Sequence, residues 1–212
     1  MKFDRSLIPP NPDLQFEREL WSNGLTAVAG IDEAGRGALA GPVVAAAVIL
    51  PPSLDIEARL HGVRDSKQMT PDQRQYWADQ LCGVAVAFGV GFASSLEIDT
   101  LGIVPATCLA SQRALSQLNA SPHHLLLDYI HLPDCNLPQT SLVKGDQRCL
   151  SIAAASVLAK TSRDAWMRAI DQQYPGYGFC QNKGYGTLSH RQAIERLGPS
   201  PVHRLTFAPL QV

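Results

Sequence analysis

Residues 43–50 form an unbroken apolar run, VVAAAVIL, which a folded chain accommodates best as a central strand covered on both faces. Residues 27–32 form a shorter apolar run before it, and residues 125–127 form a third. Candidate helices lie between and after these runs. Strands that alternate with helices in this way predict an α/β domain, with helices on both faces of a central mixed sheet.

Capping signals and apolar spacing indicate the remaining elements. Thr70 before a proline is typical of a helix start, and Ser94 with Glu97 forms a capping-box pattern. The helix that starts near Ser151 is apolar almost all round and is predicted to be buried, with Arg163 and Arg168 pointing outward from its later turns. The sequence predicts helices at residues 11–21, 71–81, 105–118, 151–160 and 188–197, and further strands at residues 84–92 and 141–143.

Length and composition favour one globular domain. The chain has 212 residues, of which 45% are hydrophobic and 17% are charged. We expect residues 1–212 to form a single domain, with residues 1–26 as an N-terminal extension and residues 171–212 as a C-terminal loop and helix. Five cysteines without a Cys-x-x-Cys pair argue against a disulfide framework and suit a cytoplasmic location. No apolar stretch is long enough to span a bilayer, so no membrane association is expected.

The net charge of −1 conceals an uneven distribution. Residues 1–143 carry 9 Lys and Arg against 15 Asp and Glu, whereas residues 144–212 carry 9 against 4. A basic C-terminal third beside an acidic site favours a polyanionic ligand. Ordinary solvated surface charge explains a bias of this size equally well.

Two adjacent carboxylates, Asp32 and Glu33, follow the first apolar run and are surrounded by glycines. Because successive strand residues point to opposite faces, we expect the strand to end between the two, so that both can share one site. The glycines permit such a turn and let backbone amides approach a ligand closely. Arg36 lies between two of these glycines, where it is either the counter-ion of an acidic turn or a phosphate contact.

Two further carboxylates follow apolar segments. Asp128 ends the run at residues 125–127, and Asp146 follows the short strand at residues 141–143. Ligands of α/β sheets gather at the carboxyl ends of strands, and clustered carboxylates are tolerated mainly when a hard divalent cation neutralises them. Oxygen-only ligands without histidine favour magnesium or manganese over zinc.

Five ordered sequence blocks closely resemble bacterial ribonuclease HII. They are AGIDEAGRG with the following LAGPVVAAAVIL, DSK at 65–67, KGD at 144–146, SIAAASVLAK with the trailing Arg163 and Asp164, and NKGYGT with His190. Together they span most of residues 27–207. The resemblance implies a ribonuclease H-like fold. It also implies an endonuclease that cleaves the RNA strand of RNA–DNA hybrids and cuts on the 5′ side of single ribonucleotides embedded in duplex DNA.

The resemblance implies a two-metal mechanism as well. The catalytic, metal-binding carboxylates of the family fall on Asp32, Glu33, Asp128 and Asp146. Two divalent ions, Mn²⁺ or Mg²⁺, would activate a water on one side of the scissile phosphate and stabilise the departing 3′ oxygen on the other, at a separation of about 3.5 to 4 Å.

Substrate contacts are implied at further positions. The family's Gly-Arg-Gly, which recognises the ribonucleotide 2′-hydroxyl, falls on Gly35, Arg36 and Gly37, and Tyr185 matches the tyrosine that stacks on the sugar at the RNA-to-DNA junction. Two positions depart from the family pattern, since Ala38 stands where proline is usual and Tyr129 where many members have glycine. The candidate phosphate contacts, each with a solvated-surface alternative, are Lys67, Lys144, Lys183 and the free amides at the helix start at Ser151.

Three alternatives are weighed against this hypothesis. A ribonuclease HIII-like hybrid nuclease shares the fold but normally carries an N-terminal substrate-binding domain, whereas 26 residues precede the first strand here. A non-catalytic nucleic-acid-binding module is disfavoured, because a protein that only binds a polyanion would bind it more tightly without these negative charges. A nuclease or resolvase of the same fold with another substrate is disfavoured by the Gly-Arg-Gly together with Tyr185. We expect a monomer. The tail at residues 207–212 could contact a sliding clamp, although nothing in the sequence supports such docking.

Overall fold

The computed structural model describes residues 3–210, and its centre is a five-stranded sheet with the order β3-β2-β1-β4-β5. β1 pairs antiparallel with β2 and parallel with β4, while β2 pairs antiparallel with β3 and β4 pairs parallel with β5. The sheet is therefore mixed, as predicted. The strands are β1 (Val28–Ala34), β2 (Val43–Ile49), β3 (Ala87–Ala93), β4 (His124–Asp128) and β5 (Gln139–Leu142).

The helices of the described part of the chain are α1 (Gln15–Ser22), α2 (Ile56–Arg59), α3 (Pro71–Val84), α4 (Ser95–Leu101), α5 (Ile103–Ser116), α6 (Leu150–Gln173), α7 (Phe179–Asn182) and α8 (Leu188–Leu197). Short 3₁₀ turns include Ser66–Gln68 and Gly145–Gln147. No helix within residues 3–210 is long and apolar enough to cross a membrane.

Helices cover both faces of the sheet, with α6 packed on β1 and β2 and α5 packed on β2 and β3. Glycines permit the close approach. A Cβ atom on Gly30 would lie 2.2 Å from the carbonyl carbon of Ser151, and one on Gly91 would lie 2.1 Å from the Ala110 carbonyl oxygen. The glycines of β3 thus make space for α5 within a continuous strand.

Most predicted boundaries are confirmed. Thr70 and Ser94 complete capping boxes at the starts of α3 and α4, and α8 spans the predicted residues 188–197. The first helix is shorter than predicted and begins at Gln15, because the preceding segment runs beside the start of α6, where the Leu150 N–H donates to the Asp13 carbonyl at 2.8 Å. Helix α7 lies inside the segment predicted as a loop.

Candidate active site

Three carboxylates converge at one edge of the sheet. Asp32 lies on β1, Asp128 ends β4, and Asp146 lies in the 3₁₀ turn after β5. Because β1, β4 and β5 run parallel, their carboxyl ends meet at the same edge. Each of the three residues offers an oxygen within 4.8 Å of the others. The Gly145 N–H donates to Asp128 Oδ1 at 2.8 Å, which fixes the turn that carries Asp146.

The position of Glu33 differs from the one predicted. Strand β1 continues to Ala34 instead of ending between Asp32 and Glu33, so the two carboxylates remain successive residues of one strand. Glu33 Oε1 accepts a hydrogen bond from Arg36 Nη1 at 3.2 Å, and Glu33 lies outside the group of three among residues 3–210. In this structure, therefore, Arg36 is the counter-ion of Glu33.

Burial and mutual repulsion act on the three carboxylates. Burial, followed by the charges of Glu33, Asp128 and Asp146, raises the pKa of Asp32 well above its usual range. Burial, followed by the charge of Asp128, raises the pKa of Asp146 to about 6. Asp32 Oδ2 and Asp146 Oδ1 are buried without a hydrogen-bond partner among the described residues. Buried, repelling, unpartnered oxygens are the donor set that a hard divalent cation satisfies.

Lys67 extends over the carboxylates from the 3₁₀ turn Ser66–Gln68. Its Nζ lies 3.4 Å from Asp146 Oδ2 and 3.9 Å from Asp65 Oδ1, and its side chain is 71% exposed. Burial lowers the pKa of Lys67, but the charges of Asp32, Asp65 and Asp146 outweigh this effect and raise it. Asp65 also accepts from the Lys67 N–H and from Gln147 Nε2, so it links this turn to the Asp146 turn. An exposed ammonium thus lies directly beside the carboxylates.

Two buried arginines hold the loop that follows β1. Arg204 donates to the carbonyls of Gly35, Arg36 and Gly41 at distances of 2.7 to 3.0 Å. Burial, followed by the charge of Arg163, lowers the pKa of Arg204 to about 9. Three carbonyl oxygens therefore accept the hydrogen bonds of this buried arginine in place of a carboxylate partner.

Arg163 is the second of these arginines, and the prediction that it points outward is wrong. It is fully buried and donates to the carbonyls of Ala40, Pro42 and Lys183 at 2.9 to 3.0 Å. A Cβ atom on Gly35 would lie 1.9 Å from Arg163 Nε. Gly35, with φ +91°, therefore leaves the space that the arginine occupies.

Tyr185 lies half-buried next to this arginine. Its ring centroid is 5.3 Å from Arg163 Cζ and 5.5 Å from Lys160 Nζ. Leu39 N–H donates to the Gly184 carbonyl at 2.8 Å, so the segment that carries Tyr185 is bonded to the loop after β1. The sequence predicts Tyr185 and the Gly-Arg-Gly as one recognition unit, and the structure brings the two segments together.

A chain of hydrogen bonds fixes the Tyr185 carbonyl. His203 Nδ1 accepts a hydrogen bond from the Ser200 N–H at 2.9 Å, and His203 Nε2 lies 3.1 Å from His190 Nε2. His190 Nδ1 in turn lies 2.9 Å from the carbonyl oxygen of Tyr185. A backbone N–H only donates and a carbonyl only accepts, so one set of neutral tautomers satisfies every link. Burial, followed by the neighbouring His190, lowers the pKa of His203 to about 4, which keeps the pair neutral at physiological pH.

The remaining predicted phosphate contacts differ in accessibility. Lys144 is exposed in a left-handed backbone conformation, next to the carboxylate turn. Lys183 is partly buried and donates its ammonium to the Cys180 carbonyl within its own loop. Ser151 is wrong as a phosphate contact, because it is fully buried and its N–H donates to Glu17 Oε1 at 2.7 Å. The Glu17 carboxylate of α1 therefore already accepts a hydrogen bond from the amide that was predicted to be free at the start of α6.

The roles of Arg163, Arg204 and the histidine pair were not predicted from the sequence. One signal was available, since Arg163 continues the buried face formed by Ser156, Ala159 and Met167 at helical spacing. Nothing local marks Arg204, whose carbonyl partners lie up to 169 residues away in the chain.

Comparisons with known proteins identify the family of this chain. The sequence model of the family Ribonuclease HII matches residues 29–210. Ribonuclease HII of Synechococcus sp. (strain JA-3-3Ab) is 58% identical over 200 residues, which cover 94% of this chain and 90% of that protein. The crystal structure of ribonuclease H2 from Pyrococcus horikoshii OT3 superimposes with a TM-score of 0.71 at 25% identity, covering 86% of this chain and 94% of that one.

A more distant structure shows the same fold. Bst-RNase HIII in complex with Mn²⁺ has a TM-score of 0.66 at 21% identity, covering 88% of this chain and 68% of that one. A ribonuclease H-type nuclease with an acidic cation site is the class that this fold and these carboxylates define. The chain belongs to the ribonuclease HII family, and it is a ribonuclease H enzyme with a site for divalent metal.

Proposed function

We propose that this enzyme hydrolyses the RNA strand of RNA–DNA hybrids and cuts on the 5′ side of single ribonucleotides in duplex DNA. The observation that carries the proposal is the convergence of Asp32, Asp128 and Asp146 beside the loop of Gly35, Arg36 and Gly37. A group that binds a phosphate through cations thus lies next to a loop that can read a sugar.

Two Mg²⁺ or Mn²⁺ ions are the proposed cofactors. The buried oxygens without partners on Asp32 and Asp146 support this choice, because hard cations take carboxylate oxygens as ligands. The ions, when bound, supply Lewis acidity at the scissile phosphate and lower the pKa of the attacking water. Asp32, Asp128 and Asp146 would hold them, and Lys67 would add a positive charge on the exposed side of the cluster.

Glu33 enters the ligand set through an exchange of partners. Its carboxylate is held by Arg36 at 3.2 Å. A substrate phosphate competes with Glu33 for this guanidinium, because both anions accept its N–H donors. Substrate binding would therefore draw Arg36 to the nucleic acid and free Glu33 Oε1 for a cation, beside Oε2, which is buried without a hydrogen-bond partner among the described residues.

Ribose recognition is assigned to the exposed side of the loop. No atom lies within 4 Å of a Cβ position on Gly37, so its backbone is open to a ligand. The 2′-hydroxyl is the group that separates ribose from deoxyribose, and a backbone amide or carbonyl can bond it without reading a base. The Tyr185 ring supplies an adjacent surface for the following sugar.

A non-catalytic binding module does not fit, because repelling buried carboxylates weaken the binding of a polyanion and the chain belongs to a family of nucleases. A hybrid nuclease like ribonuclease HIII is the remaining alternative. The test uses three substrates: a DNA duplex with one ribonucleotide, an RNA–DNA hybrid, and an all-DNA duplex. We expect cleavage of the first two with Mg²⁺ or Mn²⁺ and none with chelator. Asp32→Asn should lower turnover by orders of magnitude, whereas the exposed control Asp134→Asn should not. Wild-type rates in chelator would refute the proposal.

A further inference from the structure

Three exposed residues form a ridge at the carboxyl ends of β4 and β5. Tyr129 directly follows Asp128 and is 70% exposed, Val143 is 41% exposed, and Lys144 is also exposed. The Tyr129 N–H donates to the Leu142 carbonyl at 3.0 Å, so the two strand ends are bonded to each other. We call Tyr129, Val143 and Lys144 the β4–β5 ridge.

The backbone of the ridge is strained. Tyr129 has φ +64° and Lys144 has φ +59°, a region that side chains other than glycine rarely adopt. The Ile130 N–H donates to the Asp128 carbonyl at 2.7 Å, which closes a three-residue turn around Tyr129. The Tyr129 side chain has no hydrogen bond or ring contact with any residue that the structure describes. Strain that projects an unpartnered aromatic ring beside metal-binding carboxylates is typical of a ligand contact rather than of packing.

The position of the ridge follows from the strand order β3-β2-β1-β4-β5. The Gly-Arg-Gly loop joins β1 to β2, and the Tyr185 segment is bonded to that loop. The carboxylates of Asp32 and Asp128 lie on the adjacent strands β1 and β4. The ridge therefore lies on the opposite side of the carboxylates from Tyr185.

We propose that the β4–β5 ridge binds the cleaved strand on the 5′ side of the scissile phosphate. The inference rests on the proposed function, in which Tyr185 contacts the sugar on the 3′ side of the ribonucleotide. A strand that crosses the carboxylates from Tyr185 reaches the ridge with its 5′ segment. An aromatic ring next to a lysine is the combination that binds a single strand without sequence preference, through stacking and phosphate contact.

The test compares two duplexes that hold one ribonucleotide and have identical complementary strands. In the long substrate the cleaved strand has ten nucleotides before the ribonucleotide, and in the short substrate it has one. Tyr129→Gly removes the ring and fits the positive φ, so its Tm should equal or exceed that of the wild type. We expect its KM to rise about tenfold on the long substrate and to match that of the wild type on the short one. Tyr129→Phe, which keeps the ring, should behave as the wild type on both.

Tyr76→Ala is the matched control, because Tyr76 is an exposed tyrosine on α3. An equal KM for Tyr129→Gly and wild type on the long substrate would overturn the proposal. The proposal would also be overturned if the raised KM of Tyr129→Gly persisted on the short substrate but disappeared when the complementary strand was shortened. In that case the ridge would contact the complementary strand instead of the cleaved one. Cleavage of the long substrate by the wild type tests the proposed function separately. If the wild type does not cleave, fluorescence anisotropy of the same two duplexes in chelator still measures the 5′-dependent loss of affinity.

Discussion

Asp146→Asn is expected to stabilise the metal-free protein at neutral pH and to weaken strongly its stabilisation by metal. The pKa of Asp146 is raised from its usual 3.8 to about 6 by burial and the charge of Asp128. A shift of this size corresponds to about 3 kcal/mol of unfavourable ionisation in the folded state. This raised pKa already includes the favourable contact with the exposed Lys67. The variant should therefore gain about 3 kcal/mol, or about 6 to 12 °C in Tm for a chain of this size.

The pH dependence gives this prediction its sign. Because the folded pKa lies above the unfolded one, the folded protein binds this proton more tightly, and the wild type loses stability as the pH rises from 3.8 through about 6. Asparagine does not ionise, so Asp146→Asn lacks this loss. The difference in Tm should be small at pH 4 and nearly complete at pH 7.5.

Thermal unfolding in chelator at pH 4 and pH 7.5 measures both effects, with the exposed Asp134→Asn as control. Saturating Mn²⁺ should then raise the Tm of the wild type by binding to the folded state, and should raise that of Asp146→Asn much less. The reasoning is refuted if Asp146→Asn is less stable than the wild type in chelator at pH 7.5. That result would mean that the protein stabilises this carboxylate instead of repelling it.

Three further substitutions test separate parts of the site. Gly37→Val should fold normally, since nothing lies within 4 Å of its Cβ position, yet lose most cleavage of ribonucleotide-containing strands; normal cleavage would make the loop only a turn. Tyr185→Ala should slow cleavage at a single ribonucleotide more than cleavage of a long hybrid in single-turnover assays, and equal losses would remove its junction role. Glu17→Ala removes the acceptor of the Ser151 N–H and should destabilise the protein by about 1 to 3 kcal/mol, so an unchanged midpoint of urea unfolding would contradict its capping role.

The predicted carboxylates were accessible from sequence because each follows an apolar run. Strand ends can be read locally from where apolar residues stop, and parallel strands then bring Asp32 and Asp128 to one edge. The relation of Asp32 to Glu33 was not accessible in the same way. Whether a strand ends between two residues depends on its partner, and here β2 pairs with β1 as far as Ala34.

The hydrogen bonds that hold the loop after β1 could not be predicted from the sequence, for a different reason. Arg163 and Arg204 bond to backbone carbonyls, and a carbonyl is present at every residue whatever its side chain. A buried ion pair can be sought in a sequence as two charged residues, an arginine and a carboxylate. These arginines bond to backbone carbonyls, so the sequence shows only the arginine of each interaction. Their partners became visible only through the packing of the C-terminal segment on the loop after β1, where Ala40 forms a bridge with His203.

The bonds from Arg204 to Gly35 and Arg36 have a consequence for synthesis on the ribosome. Asp32, Glu33, Asp128 and Asp146 have all been translated well before Arg204, which is separated from Gly35 by 169 positions. A nascent chain that stops short of residue 204 therefore contains every carboxylate but lacks the guanidinium that holds the loop carbonyls. The carboxylates are therefore synthesised before the residue that orders the proposed ribose-binding loop.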